Sequence, residues 1–210
     1  KRKSFPLKKP VFYPLSSPTG KLCDIMTGTK EMLVICEKSP DEIIKELRSG
    51  DRVLLSGTVY TARDEAHLYL CRMMDNKEEL PIDLKGAVIY YTGPCPAPPG
   101  AVIGPAGPTT SGRMDAWTPR LLDAGLKGMI GKGKRNAAVR ESIVKNTAVY
   151  FGAVGGAGAL LCSCIKEAEV IAFPELGAEA IYRLKVEDFP CAVVNDCYGG
   201  DLYEDGVTAN

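Results

Sequence analysis

The sequence lacks an excess of charge of either sign. Of its 210 residues, 26 are lysine or arginine and 26 are aspartate or glutamate, so the formal net charge at pH 7 is zero. Such a chain has no global field that would attract nucleic acid or an anionic membrane, and any anion site must come from a local cluster of cations. The composition therefore argues against nucleic acid and membranes as partners.

Long apolar runs are absent as well. No stretch approaches the roughly 20 residues that a membrane-spanning helix needs, and the first residues lack the apolar centre of a secretory signal. We therefore expect a cytosolic, that is cytoplasmic, protein. With 45% hydrophobic residues the chain can fill a core of its own, so we predict a globular fold.

Metal-ligand spacing is also missing. The eight cysteines are scattered through apolar or strand-like contexts, and Cys162 and Cys164 are too close for the two-residue spacing of zinc or iron–sulfur knuckles. We interpret most of these cysteines as small, buried apolar side chains. The sequence therefore predicts that this chain itself binds no metal or cluster.

The chain divides near residue 40. Residues 1–40 contain five prolines and no sustained periodicity, apart from a strand-like run at 32–36, so we expect an arm or a poorly ordered leader there. Ser39, Pro40 and the acidic residues after them indicate the start of a short helix that ends by Gly50. We predict one folded domain over 41–210.

From residue 52 onward, strand patterns alternate with helical patterns. Strands are predicted over 52–60, 87–93, 128–131, 148–154, 168–173 and 191–196, and helices over about 64–74, 111–124, 136–146 and 155–165. This alternation implies crossover connections and a partly parallel sheet. The strands from residue 180 onward have no helix between them and should pair in antiparallel fashion. We predict an α/β fold with a mixed sheet and flanking helices.

Three predicted strand-to-helix junctions each supply a cation. Arg63 follows the strand over 52–60, Arg113 lies in "TTSGRM", and Lys132 lies between two glycines in "MIGKGKR". Ligands of such sheets bind beyond the carboxyl ends of the strands. Because arginine binds carboxylates in bidentate fashion and lysine adds a compact charge, the sequence predicts a site for a small dianion.

Each of these positions also has a simpler interpretation. A single cation near a helix end is usually solvated, Asp64 can simply start a helix, and a lone histidine such as His67 is more often structural than catalytic. The hydroxyls of Thr109, Thr110 and Ser111 can cap a helix. They can equally form an anion site together with the N–H groups of that helix start and the following arginine.

Four motifs occur in order along the chain: "LSGTVYTARDEAH", "GPAGPTTSGRMD", "GMIGKGKR" and "DFPCAVVNDCYGGDLY". Together they resemble the C-terminal domain of class I iron–sulfur fumarases, which in some organisms is a separate β subunit and is related to the β subunit of L-tartrate dehydratase. The resemblance runs from about residue 40 to about residue 203. It implies a swivelling β/β/α-type fold and a fumarase β-type catalytic domain over 41–210.

The resemblance implies that two subunits share one active site. In this family the α subunit carries a 4Fe-4S cluster on three cysteines, with one iron open to the substrate, and the β subunit carries no cluster. Arg63, Arg113 and Lys132 would hold the dicarboxylate, with Lys134 as a second candidate for the site lysine. Thr109 would take part in removing the carbon-bound proton together with an α-subunit aspartate.

The expected activity is the reversible hydration of fumarate to L-malate by a heterodimer or heterotetramer of this chain and its α subunit. An L-tartrate dehydratase β subunit is an alternative, although "TTSGRMDAWTP", "YYTGP" and "GGAGALL" are closer to fumarase. A binding module for a dicarboxylate or phosphate, which would use the same cations without chemistry, is a third possibility.

Overall fold

The computed structural model of the protein describes residues 32–35, 41–153 and 158–208. The strands in this part of the chain are β1 Met32–Ile35, β2 Arg52–Thr61, β3 Val88–Tyr90, β4 Gly128–Gly131, β5 Val149–Gly152, β6 Ile165–Ala172 and β7 Ile181–Asn195. The α-helices are α1 Asp41–Glu46, α2 Asp64–Asn76, α3 Thr118–Asp123, α4 Ala137–Lys145, α5 Gly158–Ser163 and α6 Leu202–Thr208. None of these helices is long and apolar enough to cross a membrane.

The sheet closes on itself. Strands β2, β3, β4 and β5 are parallel neighbours in that order, and β7 runs antiparallel to both β5 and β2. These five strands therefore form a barrel-like ring. Strand β1 pairs in parallel with β2, and β6 pairs in antiparallel fashion with β7. The fold is α/β with a mixed sheet and flanking helices, which confirms the predicted fold class.

Ring closure depends on the long strand β7. Its first half pairs with β6, its last residues pair with β5, and most of its length pairs with β2. Asp188 has a left-handed φ of 52°, close to a shift in the β2–β7 register between Leu55 and Gly57. Such irregularities bend and twist a strand, which allows β7 to pair with three neighbouring strands. The strand predicted over 191–196 is the second half of β7.

The two faces of the sheet contribute to two separate hydrophobic clusters. Along β4 and β5, Ile130 and Phe151 belong to one cluster, whereas their chain neighbours Met129 and Tyr150 belong to the other. This period of two is what a strand buried on both faces produces. The second cluster includes buried residues of α2, α3 and α4, so these helices cover one face of the sheet.

The prediction of one continuous helix over 111–124 is wrong. Residues Ser111–Met114 form a short 3-10 segment, and α3 begins only at Thr118. Pro119 is the second residue of α3. Proline has no N–H and clashes in a helix interior, but it is favoured in the first turn, so a new helix begins next to it. The segment around Arg113 is therefore a tight turn.

The other elements follow the predictions within a few residues. Helices α2 and α4 and strand β4 occupy the expected places, and helix α5 lies inside the range predicted for it. Strand β6 begins at Ile165, three residues earlier than predicted. The predicted helix-start residues Ser39 and Pro40 lie outside the described residues, and β1 coincides with the strand-like run at 32–36. The division of the chain at residue 40 stays a prediction.

Candidate active site

The predicted site residues lie at one edge of the sheet. Strand β2 ends at Thr61, and Arg63 is the residue that precedes α2. Strand β4 ends at Gly131, directly before Lys132. Because β2, β3 and β4 are parallel, their carboxyl ends meet at the same edge, which is where ligands bind in both open and closed α/β sheets.

Backbone hydrogen bonds hold the threonine segment between the ends of β3 and β4. The Thr109 N–H donates to Tyr91 O at 2.8 Å, and the Lys132 N–H donates to Thr109 O at 3.3 Å. The Ser111 N–H donates to Lys132 O at 2.9 Å, and Thr110 pairs with Lys132 as an isolated parallel bridge. The backbones of Thr109 and Lys132 are therefore fixed against each other.

Gly131 allows this close approach. A Cβ at Gly131 would lie 1.9 Å from Ser111 Oγ and 2.9 Å from Tyr91 Cδ2. The Tyr150 hydroxyl donates to Gly133 O at 2.9 Å and lies 2.9 Å from Ser111 Oγ, so the serine hydroxyl donates to the tyrosine. Ser111, which the sequence predicts as a possible helix cap, is instead buried. It links the threonine segment to the loop that follows β4.

Thr109 does not cap a helix. The residue before the 3-10 segment is Thr110, and its side chain makes no capping hydrogen bond. The N–H groups of Thr109, Ser111 and Arg113 donate to carbonyl oxygens of the chain, so these three groups are not available to a ligand, and an anion site at this helix start stays a prediction. The half-buried Thr109 hydroxyl makes no hydrogen bond within the described part of the chain.

Asp64 joins the two predicted arginines. Arg113 Nε donates to Asp64 Oδ1 at 2.9 Å, and Arg63 Nη2 lies 3.6 Å from Asp64 Oδ2. The Arg113 side chain is 52% exposed and the Arg63 side chain 22% exposed. The structure therefore brings both arginines together, with Arg113 the more open of the two to a ligand.

A second carboxylate reaches Arg63 from the segment between β6 and β7. Arg63 Nη2 lies 3.2 Å from Glu179 Oε1, and the Glu65 N–H donates to Glu179 Oε2 at 3.1 Å. A Cβ at Gly93 would lie 2.9 Å from Ala178 O and 3.0 Å from Arg63 Nη1. The Arg63 side chain is thus confined between the Gly93 backbone and Glu179. No local pattern singles out Glu179, because Arg63 is distant from it along the chain.

His67 lies fully buried on α2, one turn after Arg63. Its Nδ1 is 2.8 Å from Arg63 O, and because a carbonyl oxygen only accepts, Nδ1 carries the proton. Its Nε2 is buried with no partner among the described residues, and its ring packs edge-on against Tyr91. Burial lowers the pKa of His67 from 6.5 to about 4. The ring is therefore neutral at pH 7, which agrees with the structural interpretation.

Sequence reasoning missed Arg135, whose side chain is fully buried. Its Nε donates to Asp115 Oδ1 at 2.7 Å, and its Nη2 donates to Thr118 Oγ1 at 2.8 Å. The guanidinium carbon lies 5.2 and 5.0 Å from the ring centroids of Tyr91 and Tyr150. Arg135 therefore ties the segment after Arg113 to the loop after Lys132. In "GKGKR" it looks like another solvated cation, so only the structure distinguishes it.

Lys132 and Lys134 have different surroundings. Lys132 is exposed and bonded through its backbone to the threonine segment. The Lys134 ammonium lies 5.8 Å from the ring centroid of Tyr203 in α6. Gly133, between the two lysines, has a φ of 84° and turns the chain.

The described thiols do not fit a metal or cluster site. No group of three or more His, Cys, Asp or Glu side chains in the described part of the chain could hold a metal ion. Cys162 and Cys164 instead donate to backbone carbonyl oxygens, and burial raises the pKa of Cys71, Cys164 and Cys197. Cluster ligands are thiolates, which a raised pKa disfavours.

A match to a known family covers most of the chain. Residues 17–206 match the family described as "Fumarase C-terminus". The chain belongs to the fumarase C-terminus family. This result confirms the resemblance carried by the four sequence motifs.

Relatives in the family differ in length. The chain is 38% identical over 185 residues to "Fumarate hydratase 2" of Leishmania major, covering 86% of this chain and 33% of the relative. It is 41% identical over 168 residues to "Fumarate hydratase class I, aerobic" of Escherichia coli K12, covering 78% and 31%. It is 36% identical over 168 residues to "Putative L(+)-tartrate dehydratase subunit beta" of Methanocaldococcus jannaschii, covering 77% and 86%. The chain thus spans about a third of these fumarate hydratases.

Proposed function

We propose that this chain is the β subunit of an iron–sulfur-dependent hydro-lyase that hydrates fumarate to L-malate reversibly. The observation that carries the proposal is the joining of Arg63 and Arg113 through Asp64, at the sheet edge where Lys132 is bonded to Thr109. This arrangement places cations for a dianion and a threonine at the same edge of the sheet. Membership of the fumarase C-terminus family supports the reaction class.

The cations would bind the two carboxylates of the substrate. Arg113 uses Nε for Asp64, so the edge formed by its two terminal nitrogens is left for a bidentate contact with a carboxylate. Lys132 would add a compact, mobile charge. Its backbone bonds to the threonine segment support Lys132 as the site lysine, whereas the Lys134 ammonium lies near the ring of Tyr203.

Thr109 would act at the carbon-bound proton. In the dehydration direction one proton leaves carbon, a double bond forms, and the hydroxyl of L-malate leaves with a proton as water. A neutral threonine hydroxyl is a weak base, so it requires a carboxylate from the partner subunit to accept the proton. The backbone bonds on both sides of Thr109 would hold its hydroxyl in position, which lowers the entropic part of the barrier.

The proposed partner is an α subunit that holds the 4Fe-4S cluster. The described thiols of this chain do not fit a cluster, and this chain spans only about a third of the related fumarate hydratases. The relative named as a subunit beta matches over 86% of its length, which supports a two-subunit assembly. The cluster would supply Lewis-acid chemistry at the departing hydroxyl. We propose a cytoplasmic heterodimer or heterotetramer.

L-Tartrate is the second candidate substrate. The Methanocaldococcus jannaschii relative is named as a tartrate dehydratase subunit and is 36% identical to this chain. Tartrate is also a four-carbon dicarboxylate with a hydroxyl that can leave as water. The same cations would hold it, so the choice between substrates depends on groups that contact the carbons between the carboxylates.

Co-expression with a candidate α subunit under anaerobic conditions tests the proposal. The assembled complex is expected to hydrate fumarate, measured by the loss of fumarate absorbance, and dehydration of L-tartrate is measured in parallel. Arg113→Ala is the test variant, and Arg120→Ala is its matched control because Arg120 is an exposed arginine of α3 paired with Asp75. A complex that binds dicarboxylates but turns over neither substrate would contradict the proposed hydro-lyase activity. It would favour the interpretation of this chain as a binding module.

A further inference from the structure

Asp64 differs from an ordinary acidic residue at a helix start. Its side chain is only 19% exposed, and its Oδ1 accepts a hydrogen bond from Arg113, 49 residues away. Its Oδ2 is buried, has no hydrogen-bond partner among the described residues, and faces Arg63 Nη2 at 3.6 Å. A carboxylate whose only role was a favourable interaction with the helix dipole would be exposed to solvent. The two arginine contacts therefore call for another explanation.

We propose that Asp64 is a positioning residue that holds the Arg113 guanidinium beside Arg63 and so makes the site selective for ligands with two carboxylates. This inference rests on the proposed function, because it takes Arg63 and Arg113 as the residues that bind the dicarboxylate. Asp64 itself touches no substrate carboxylate. It acts through the two arginines.

The contacts of Arg113 support this role. Its half-exposed side chain makes no other hydrogen bond or ion pair within the described residues, so Asp64 is what orients it there. An arginine that is already held loses less conformational freedom when it binds a ligand. The Nε contact also leaves the terminal edge of the guanidinium free, which is the edge best suited to a bidentate carboxylate contact.

The local charge balance supports positioning over simple attraction. Arg63 and Arg113 carry two positive charges, and Asp64 and Glu179 carry two negative charges within ion-pair distance of them. The four charges cancel formally. Selectivity for a dianion must then come from the arrangement of the guanidinium groups, with Lys132 as the remaining positive charge. Removing Asp64 raises the net positive charge, which should strengthen dianion binding. It also disturbs the arrangement of the guanidinium groups, which should weaken dianion binding.

Inhibitor binding separates these effects in the assembled complex. Succinate is a four-carbon dicarboxylate that lacks the double bond and the hydroxyl, and butyrate is the matching ligand with one carboxylate. Positioning predicts that Asp64→Ala weakens succinate binding by about ten-fold or more, because small misplacements of binding groups are costly, and leaves butyrate binding nearly unchanged. Charge alone predicts that both anions bind Asp64→Ala more tightly.

Two further variants complete the test. Asp64→Asn keeps an oxygen that can accept from Arg113 Nε, so it should lose less succinate affinity than Asp64→Ala. Asp75→Ala removes the acid of the ion pair between Asp75 of α2 and Arg120. It should change the affinity for neither succinate nor butyrate. In steady-state assays, Asp64→Ala should raise the KM for fumarate more than it lowers kcat.

Calorimetric titration of the same complexes with succinate and butyrate gives a readout that needs no turnover. It therefore tests the role of Asp64 even if the complex proves to have no hydratase activity, which would contradict the proposed function alone. The proposal is overturned if Asp64→Ala binds succinate as well as the wild type or more tightly. It is also overturned if succinate and butyrate lose affinity equally, because that result indicates general damage to the site.

Discussion

Arg135 Nε donates to Asp115 Oδ1 at 2.7 Å, and both side chains are buried. Asp115 follows the 3-10 segment that contains Arg113, and Arg135 follows the loop that contains Lys132. The ion pair therefore connects the two segments that carry the proposed site residues. Both side chains are buried, so we expect the pair to act on the site by holding these two segments together.

Removing one partner of this pair should destabilise the protein strongly. Arg135→Met leaves the Asp115 carboxylate buried without its charge partner, and loss of one member of a buried pair typically costs about 3–5 kcal/mol. We expect a decrease of that size in the free energy of unfolding, measured by chemical denaturation. Arg120→Met breaks the exposed pair with Asp75 and should change stability little. Equal effects of the two variants would contradict the buried-network interpretation.

His67 should make stability depend on pH. Its pKa is about 4 in the folded protein and 6.5 as an ordinary side chain, so the unfolded chain binds the proton first. The stability that neutral His67 contributes is present above pH 6.5 and is lost as the pH falls towards 4. Arg135 also disfavours the charged ring, whereas Asp64 and the bond to Arg63 O favour it.

The comparison that tests His67 is the pH dependence of the free energy of unfolding in the wild type and in His67→Asn. The asparagine amide can still donate to the backbone but does not titrate. Between pH 6.5 and pH 4, the wild type should lose about 3 kcal/mol more than the variant, since each unit of pKa difference contributes about 1.4 kcal/mol. Parallel profiles for the two proteins would show that His67 is not buried in its neutral form.

The three cations should contribute to catalysis and little to folding. Arg63→Ala, Arg113→Ala and Lys132→Ala each leave a substrate carboxylate without a partner in the assembled enzyme. We expect kcat/KM to fall by a factor equivalent to about 2–5 kcal/mol for a desolvated contact and less for an exposed one. Lys134→Ala is the control for Lys132→Ala. A larger effect at Lys134 would reverse the assignment of the site lysine.

Local signals predicted most of the elements, and distant contacts account for the errors. "GMIG" and the helix after Asn136 were predictable because strand period and helix capping act over a few residues; the Asn136 side chain indeed accepts from Val139 N. The length of β7 was not predictable, since it depends on an irregularity near Asp188 and on pairing with three other strands. The break before α3 follows from Pro119, which is favoured in the first turn of a helix and disfavoured in its interior.

The position of the candidate residues at one edge of the sheet was predictable, but the bonds that connect them were not. The carboxyl ends of parallel strands meet at one edge, so residues after β2 and β4 had to lie near each other. The bond from Arg113 to Asp64 crosses 49 residues, and no local pattern specifies which carboxylate an arginine meets. Burial of Arg135 depends on the rings of Tyr91 and Tyr150, which come from two different strands.

The role of Thr109 can be separated from that of its neighbour. Thr109→Val keeps the shape of the side chain and removes the hydroxyl, which makes no hydrogen bond within the described residues. Stability should therefore hardly change, whereas kcat of the assembled enzyme should fall about 100-fold or more, the usual scale for a positioned acid–base group. Thr109→Ser, which keeps a hydroxyl, should retain substantial activity.

Thr110→Val is the matched control for this prediction, because Thr110 is the adjacent, exposed threonine and its side chain makes no capping bond. It should keep both the wild-type kcat and the wild-type Tm. If Thr109→Val also kept the wild-type kcat, the hydroxyl would take no part in proton transfer. If Thr109→Val instead lowered Tm and kcat together, the loss of activity would follow from damage to the segment between β3 and β4. Only a large fall in kcat at an unchanged Tm assigns the chemistry to the Thr109 hydroxyl.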